Sequence, residues 1–134
     1  MKESAHVFRI RVEPQHLDEM NHVNNAVFVS FLQEAALSHW YAVATAEEVE
    51  SVRWVAKRHE IDYLKSAYLN DELCIFTWIA TYNAVSTRRM YEIYHKEQKI
   101  VQAETVWVAL DPETLRPKRL ALETLDKFQP RPQA

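Results

Sequence analysis

Asn24-Asn25-Ala26-Val27-Phe28-Val29-Ser30-Phe31-Leu32-Gln33-Glu34-Ala35-Ala36-Leu37-Ser38-His39-Trp40-Tyr41-Ala42-Val43-Ala44-Thr45 is the stretch on which the fold turns. Its apolar residues cover most of a helical circumference, and Ser30, Gln33, Glu34 and Ser38 leave only a narrow polar stripe. The spacing therefore predicts a helix from Asn24 or Asn25 to about Thr45, buried and wrapped by other elements. The paired Asn residues mark its start, because their side chains accept from the free N–H groups of a first turn.

On the N-terminal side, His6 to Glu13 alternates, with Phe8, Ile10 and Val12 facing one way, which reads as a strand ended by Pro14. A loop from Gln15 leads into the helix. Beyond Ser51 the pattern is that of strands, placed at Val52 to Tyr63, Leu73 to Tyr82, Arg88 to His95 and Val101 to Leu110, with a short helix at Leu120 to Phe128. Between Leu73 and Tyr82 both alternating faces are apolar, Leu73, Ile75, Thr77 and Ile79 on one and Cys74, Phe76, Trp78 and Ala80 on the other. An antiparallel sheet ordinarily keeps one polar face, so this strand is expected to be covered twice, by the helix and by another subunit. The fold class is α+β, a five-stranded antiparallel sheet curled round one long helix.

The chain has 134 residues with no internal repeat or linker, which predicts one domain over 1–134 and a frayed tail at 129–134. Its composition, 48% hydrophobic and 26% charged, suits a globular protein. Glycine is absent, and with it the P-loop, the dinucleotide fingerprint and the GxSxG nucleophile elbow, all of which need a residue without Cβ. A net charge of -3 gives no basic excess for nucleic acid or an anionic membrane. Apolar runs are too short for a membrane span. Cys74 is the single cysteine, which excludes an internal disulfide and a multi-cysteine zinc site. Without a signal peptide the expected location is cytoplasmic. The six histidines have no paired metal-ligand spacing, so no metal is expected.

Polar groups concentrate in Asp18-Glu19-Met20-Asn21-His22-Val23-Asn24-Asn25, directly before the helix. A first helical turn offers unpaired N–H groups and the positive end of the helix dipole, which suit a polarised carbonyl or oxyanion. A carboxylate just upstream can face the same carbonyl, so Asp18 is the candidate to attack it or to activate water. The bland alternative is that Asn24 or Asn25 simply caps the helix while Asp18, Glu19 and His22 are solvated. Glu34, on the polar stripe, reads as a buried carboxylate satisfied by its neighbours or as a second polar group in a substrate pocket. Cys74, Trp54, Trp78 and Trp107 read as core, and Lys65, Arg88 and Arg89 as strand-end charges.

The segment Asp18 to Ala36 resembles the Asp-x-x-Gly-His-Val-Asn-Asn, aromatic, Glu-Ala signature of hotdog-fold acyl-CoA thioesterases of the 4-hydroxybenzoyl-CoA thioesterase type. His59 to Ala67, followed by Asp71-Glu72-Leu73, is similar to that family's second strand, its Tyr-Leu-x-x-Ala segment and the opening of its third strand. The likeness runs from about Val7 to Leu110. It implies a catalytic carboxylate at Asp18, a backbone N–H at Asn25 that polarises the thioester oxygen, and supporting roles for Asn24 and His22. It also implies substrate contacts from Tyr63 near the acyl group, Glu34 in the acyl pocket, and Ser86, Arg88, Arg89 and Lys65 near the pantetheine and phosphates of coenzyme A. The family's Gly is Asn21 here, the non-glycine type most tolerant of φ > 0.

The resemblance thus implies hydrolysis of an acyl-CoA or acyl-carrier-protein thioester without a separate cofactor, coenzyme A being part of the substrate. Asp18 can serve as nucleophile through a mixed anhydride or as general base on water. A non-catalytic acyl-thioester binding or scaffold subunit is the alternative. Family protomers pair side by side, so a homodimer or homotetramer is expected, with sites at the subunit boundary.

Overall fold

The computed structural model describes residues 5–132. Strand β1, His6–Arg11, is followed by a 3₁₀ turn at Pro14–His16 and then by helix α1, Asn25–Val43. A short helix α2, Ala46–Glu50, leads into β2, Arg53–Tyr63; β3, Glu72–Tyr82; β4, Ser86–His95; and β5, Gln98–Leu110. Helix α3, Leu122–Asp126, and a two-residue strand β6, Arg131–Pro132, complete the chain. The expected five strands run antiparallel in the order β1-β3-β4-β5-β2, which leaves β1 and β2 as edges.

Helix α1 starts where its paired Asn residues place it. Asn24 holds β-region backbone angles and its Oδ1 accepts from the Ala26 N–H at 2.8 Å. The far end stops at Val43, where Thr45 and Glu48 exchange reciprocal capping bonds that begin α2.

One face of α1 packs Phe28, Phe31, Leu32, Ala35 and Ala36 onto the inner sheet face, where they meet Leu73, Ile75, Tyr91, Ile93, Val101 and Ala103. Each large side chain buried in this layer contributes about 1.5–3 kcal/mol. Within it, Trp107 Nε1 donates to the Tyr91 hydroxyl at 3.1 Å, which satisfies both buried polar tips. The opposite face of the helix corrects the expectation of full wrapping. Leu37 is 40% and Tyr41 60% exposed, and both line a groove beside Val55 on edge strand β2. No element among the described residues covers that stripe.

The outer sheet face carries Cys74, Phe76 and Trp78 from β3 and Met90 and Tyr94 from β4, all only half-buried. Cys74 and Trp78 are therefore not core residues, although their apolar neighbours suggested it. The twofold coverage expected of β3 is half present, from α1 alone.

Two chain-end features depart from the sequence expectation. Arg131–Pro132 pairs in parallel with Thr81 and Tyr82 of β3, beyond the end of β1, so that part of the expected frayed tail joins the sheet; residues 133–134 lie outside the described residues. The segment before it is also tied down. Lys127 Nζ donates to Glu48 Oε1 at 2.6 Å and the Thr124 hydroxyl donates to Glu48 Oε2. The bonds from Lys127, then Thr124, then the Thr45 backbone hold the Glu48 carboxyl at about 2, below its ordinary 4.5.

A carboxyl depressed in the folded state contributes stability above its unfolded value and loses it as pH falls towards the folded one. Glu48→Gln should therefore flatten the fall in melting temperature between pH 4.5 and 2. Superimposable wild-type and variant profiles over that range would remove Glu48 from the acid response.

Without glycine, left-handed backbone falls on other residues, namely Asn21 (φ 62), Asn70 (φ 70), Lys96 (φ 56), Leu115 (φ 58) and Gln129 (φ 54). Asn21 therefore takes the turn geometry expected of it. Two of the five are Asn, whose side chain bonds locally and lowers the cost.

Candidate active site

The loop before α1 is stitched at both ends. Leu17 and Val23 form an antiparallel bridge, His22 and Tyr68 another, and the Val23 N–H donates to Ala67 O at 2.8 Å. Ala67 is fully buried beyond the end of β2, so the segment Tyr63 to Ala67 supports the loop from below. Between the bridges Asp18 to Asn21 makes a tight turn, with Asn21 N donating to Asp18 O at 3.0 Å. Asp18 Oδ1 accepts from the Met20 N–H at 2.9 Å, which orients the carboxylate.

The second oxygen, Oδ2, lies 3.6 Å from His22 Nδ1, and the two side chains are 25% and 28% exposed. Asp18 is thus held by the backbone on one oxygen and left partly open to solvent on the other. The loop delivers it to the beginning of α1, where Asn25 is the first helical residue and its N–H has no acceptor among the described residues. The Tyr63 hydroxyl donates to Asn25 O at 3.0 Å, and its ring sits 5.9 Å from that of Phe28. Partial burial raises the Tyr63 phenol above its ordinary value, so it remains a donor at neutral pH. This bond pins the first turn of the helix.

Asp18 and His22 are thus neighbours in the loop, and Asn24, Asn25 and Tyr63 meet at the helix start that follows it. The other residues singled out in the sequence do not join them. Glu34 is exposed on the surface of α1, which corrects the expectation of a buried carboxylate. Ser86 is committed to the turn before β4, its N–H and hydroxyl both bonded to Asn83 Oδ1. Lys65 is exposed two residues past Tyr63.

Arg88 and Arg89 are a correction, since neither is a free strand end. Arg88 lies on the outer face, where Nε and Nη2 grip the two Glu104 oxygens at 3.1 and 2.9 Å, a bidentate pair that raises the guanidinium and depresses the carboxyl. Arg89 points the other way, into the core, and is 4% exposed. It lines the inner side of the sheet and not the surface on which Arg88 lies.

Sequence reasoning missed a cavity at the other end of α1. A cavity of about 210 Å³ lies between the C-terminal half of α1, the inner sheet face and the α3 segment, walled by Trp40, Trp54, Trp107, Leu125 and Phe128. From Asn25 to Trp40 the helix climbs about 22 Å, so cavity and loop are separate places in one chain. Alternation alone could have flagged it, because two adjacent strand residues must face opposite sides and one of Arg88 and Arg89 had to turn inward.

Comparison with known proteins follows the same lines. The family model for the acyl-ACP thioesterase N-terminal domain matches residues 6–128. The long-chain acyl-CoA thioesterase FadM of Escherichia coli is 29% identical over 122 residues, covering 86% of this chain and 89% of FadM. The acyl-CoA thioester hydrolase YbgC of Escherichia coli is 27% identical over 124 residues, covering 90% of this chain and 92% of YbgC. Among solved structures, YbaW, a probable thioesterase from Escherichia coli, superposes with a TM-score of 0.82 at 26% identity, covering 91% of this chain and 97% of YbaW.

Proposed function

The chain belongs to the acyl-ACP thioesterase N-terminal domain family and has its hotdog fold, and on that premise we propose that it hydrolyses an acyl-CoA or acyl-carrier-protein thioester with Asp18 as the catalytic carboxylate. The observation that carries the reading is the pairing of a backbone-oriented carboxylate with a helix start whose first N–H is unspent. Asp18 either attacks the thioester carbon or takes a proton from water that does so, while the Asn25 N–H receives the negative charge developing on oxygen. His22, beside Oδ2, contacts the same reacting region, and Asn24 and Tyr63 hold the helix start in place. Lys65 is the exposed cation near Tyr63 that remains available to the phosphates of coenzyme A. The family relatives named for acyl-CoA thioesters support that substrate class.

A panel of aliphatic, aromatic and hydroxylated acyl-CoA thioesters, read by a thiol-reactive dye, tests the proposal directly. Release of coenzyme A on at least one class is expected. Binding of every class with no thiol release would assign the chain to the non-catalytic alternative.

The working unit in this proposal is a homodimer. Support comes from the uncovered stripe of α1, with Leu37 and Tyr41, lying next to β2, a full-length strand at the sheet edge. Pairing of two β2 edges would continue the sheet and cover that stripe. Light scattering should give twice the chain mass at micromolar concentration, and specific activity should fall on dilution below the dissociation constant. A monomer with full activity at every concentration would refute the dimer. No helix among the described residues is long and apolar enough to cross a membrane.

A further inference from the structure

The cavity at the far end of α1 contains a cation with no anion beside it among the described residues. Arg89 is 4% exposed, and its only hydrogen bonds among the described residues leave from Nη1, to His39 Nδ1 at 2.9 Å and to Thr77 Oγ1 at 3.1 Å. Both partners are neutral. His39 stays uncharged because burial, then the Arg89 charge, lower it to about 3. Arg89 itself, lowered by burial to about 10, keeps its charge at neutral pH. The guanidinium has five N–H groups. Those on Nε and Nη2 have no acceptor among the described residues, and no carboxylate there forms an ion pair with Arg89. A buried charge of this kind is unfavourable unless something pairs with it.

Trp54, which walls the same cavity, also has a buried Nε1 with no hydrogen-bond partner among the described residues. The site thus offers the unspent N–H groups of Arg89, whereas most of its remaining wall is apolar, from Trp40, Ile79, Leu125 and Phe128. A bare inorganic anion would satisfy the donors and leave the walls unfilled; a hydrocarbon would do the reverse.

We propose that this cavity is a binding site for a small carboxylic acid with an apolar body, its carboxylate paired with Arg89 and its body held among Trp40, Trp54, Trp107 and Phe128. The acid freed by thioester hydrolysis belongs to this chemical class; that link, unlike the binding itself, rests on the proposed function. Binding here stands apart from the Asp18 loop, at the opposite end of the helix.

Three of the four tryptophans, Trp40, Trp54 and Trp107, line the cavity, so their fluorescence reports occupancy without turnover. Octanoate, octanol and inorganic phosphate are titrated into the wild-type protein and into Arg89→Gln and Arg89→Lys, with Asp18→Asn as a variant of the other site. Wild type should bind octanoate about 10- to 100-fold more tightly than octanol, the range a charge-assisted contact gives, and phosphate weakly. Arg89→Gln should bring octanoate down to the octanol value, Arg89→Lys should keep the preference for the acid, and Asp18→Asn should bind as wild type does. Equal binding of octanoate and octanol by wild type, no saturable change with octanoate, or an undiminished preference in Arg89→Gln overturns the proposal. Should Arg89→Gln fail to fold, the wild-type ratio alone decides. Because no step measures hydrolysis, failure here leaves the assignment of Asp18 standing, and an inactive protein that binds octanoate leaves this one standing.

Discussion

Asp18→Asn should lower kcat by at least about 10²-fold, the lower part of the range that a positioned carboxylate contributes by proton transfer, and more if the carboxylate is the nucleophile. Asn is nearly isosteric and keeps an oxygen to accept the Met20 N–H, so the turn from Asp18 to Asn21 is retained. What it loses is the negative charge and basicity of the second oxygen, the one beside His22. The melting temperature should stay within about 2 °C, since surface changes away from special features usually fall within ±0.5 kcal/mol. Steady-state kinetics and a melting curve on the same preparation make the check. A kcat within about threefold of wild type would place the chemistry on another group.

Phe31→Ala should give the largest loss of stability. Phe31 is 1% exposed, it meets Phe28 edge-on at 5.8 Å, and its other ring neighbour is His16 at 5.0 Å. Truncation costs about 3–5 kcal/mol for a buried aromatic, through lost burial and the cavity left behind. In a domain of this size that corresponds to a fall of roughly 10–20 °C in melting temperature. The effect should extend to activity. His16 O accepts the Asn24 N–H, so the ring under His16 also steadies the loop that presents Asp18. Denaturant unfolding and kcat/KM measured together should both fall, whereas a loss below about 1 kcal/mol would mean that neighbouring side chains close the gap.

Much of this organisation is legible in the amino-acid sequence. The helix could be read because Asn24 marks its start and its apolar residues repeat at helical spacing; the strands could be read because alternation persists through β3, β4 and β5. Asp18 stood out because a carboxylate before a helix start is a chemical arrangement as well as a pattern. The failures have equally specific causes. A helix apolar on most sides implies cover but does not say whether the same chain supplies it, and Leu37 and Tyr41 are left bare by their own sheet. Strand β6 pairs only two residues, too few for any periodicity. Arg89 reads as a surface charge by residue type, yet its neighbour Arg88 occupies the outer face with Glu104 and the pleat sends Arg89 inward. Glu34 went astray for the converse reason, as a carboxylate among apolar neighbours that nonetheless faces solvent.

The strand order has a consequence for biosynthesis. Strand β2 finds its hydrogen-bonding partner only in β5, with Arg53 opposite Leu110 and Tyr63 opposite Val101, while β3 and β4 are made between them. On a ribosome adding about 5–20 residues per second, the finished β2 and the apolar face of α1 wait several seconds for the strand that completes their sheet. Pairing between segments so distant in the chain is also slow once both are present. The nascent chain therefore passes through an interval in which its longest helix and an unpaired strand are exposed together, and chaperone capture during synthesis should concentrate on chains that have emerged past Tyr63 but not yet past Leu110.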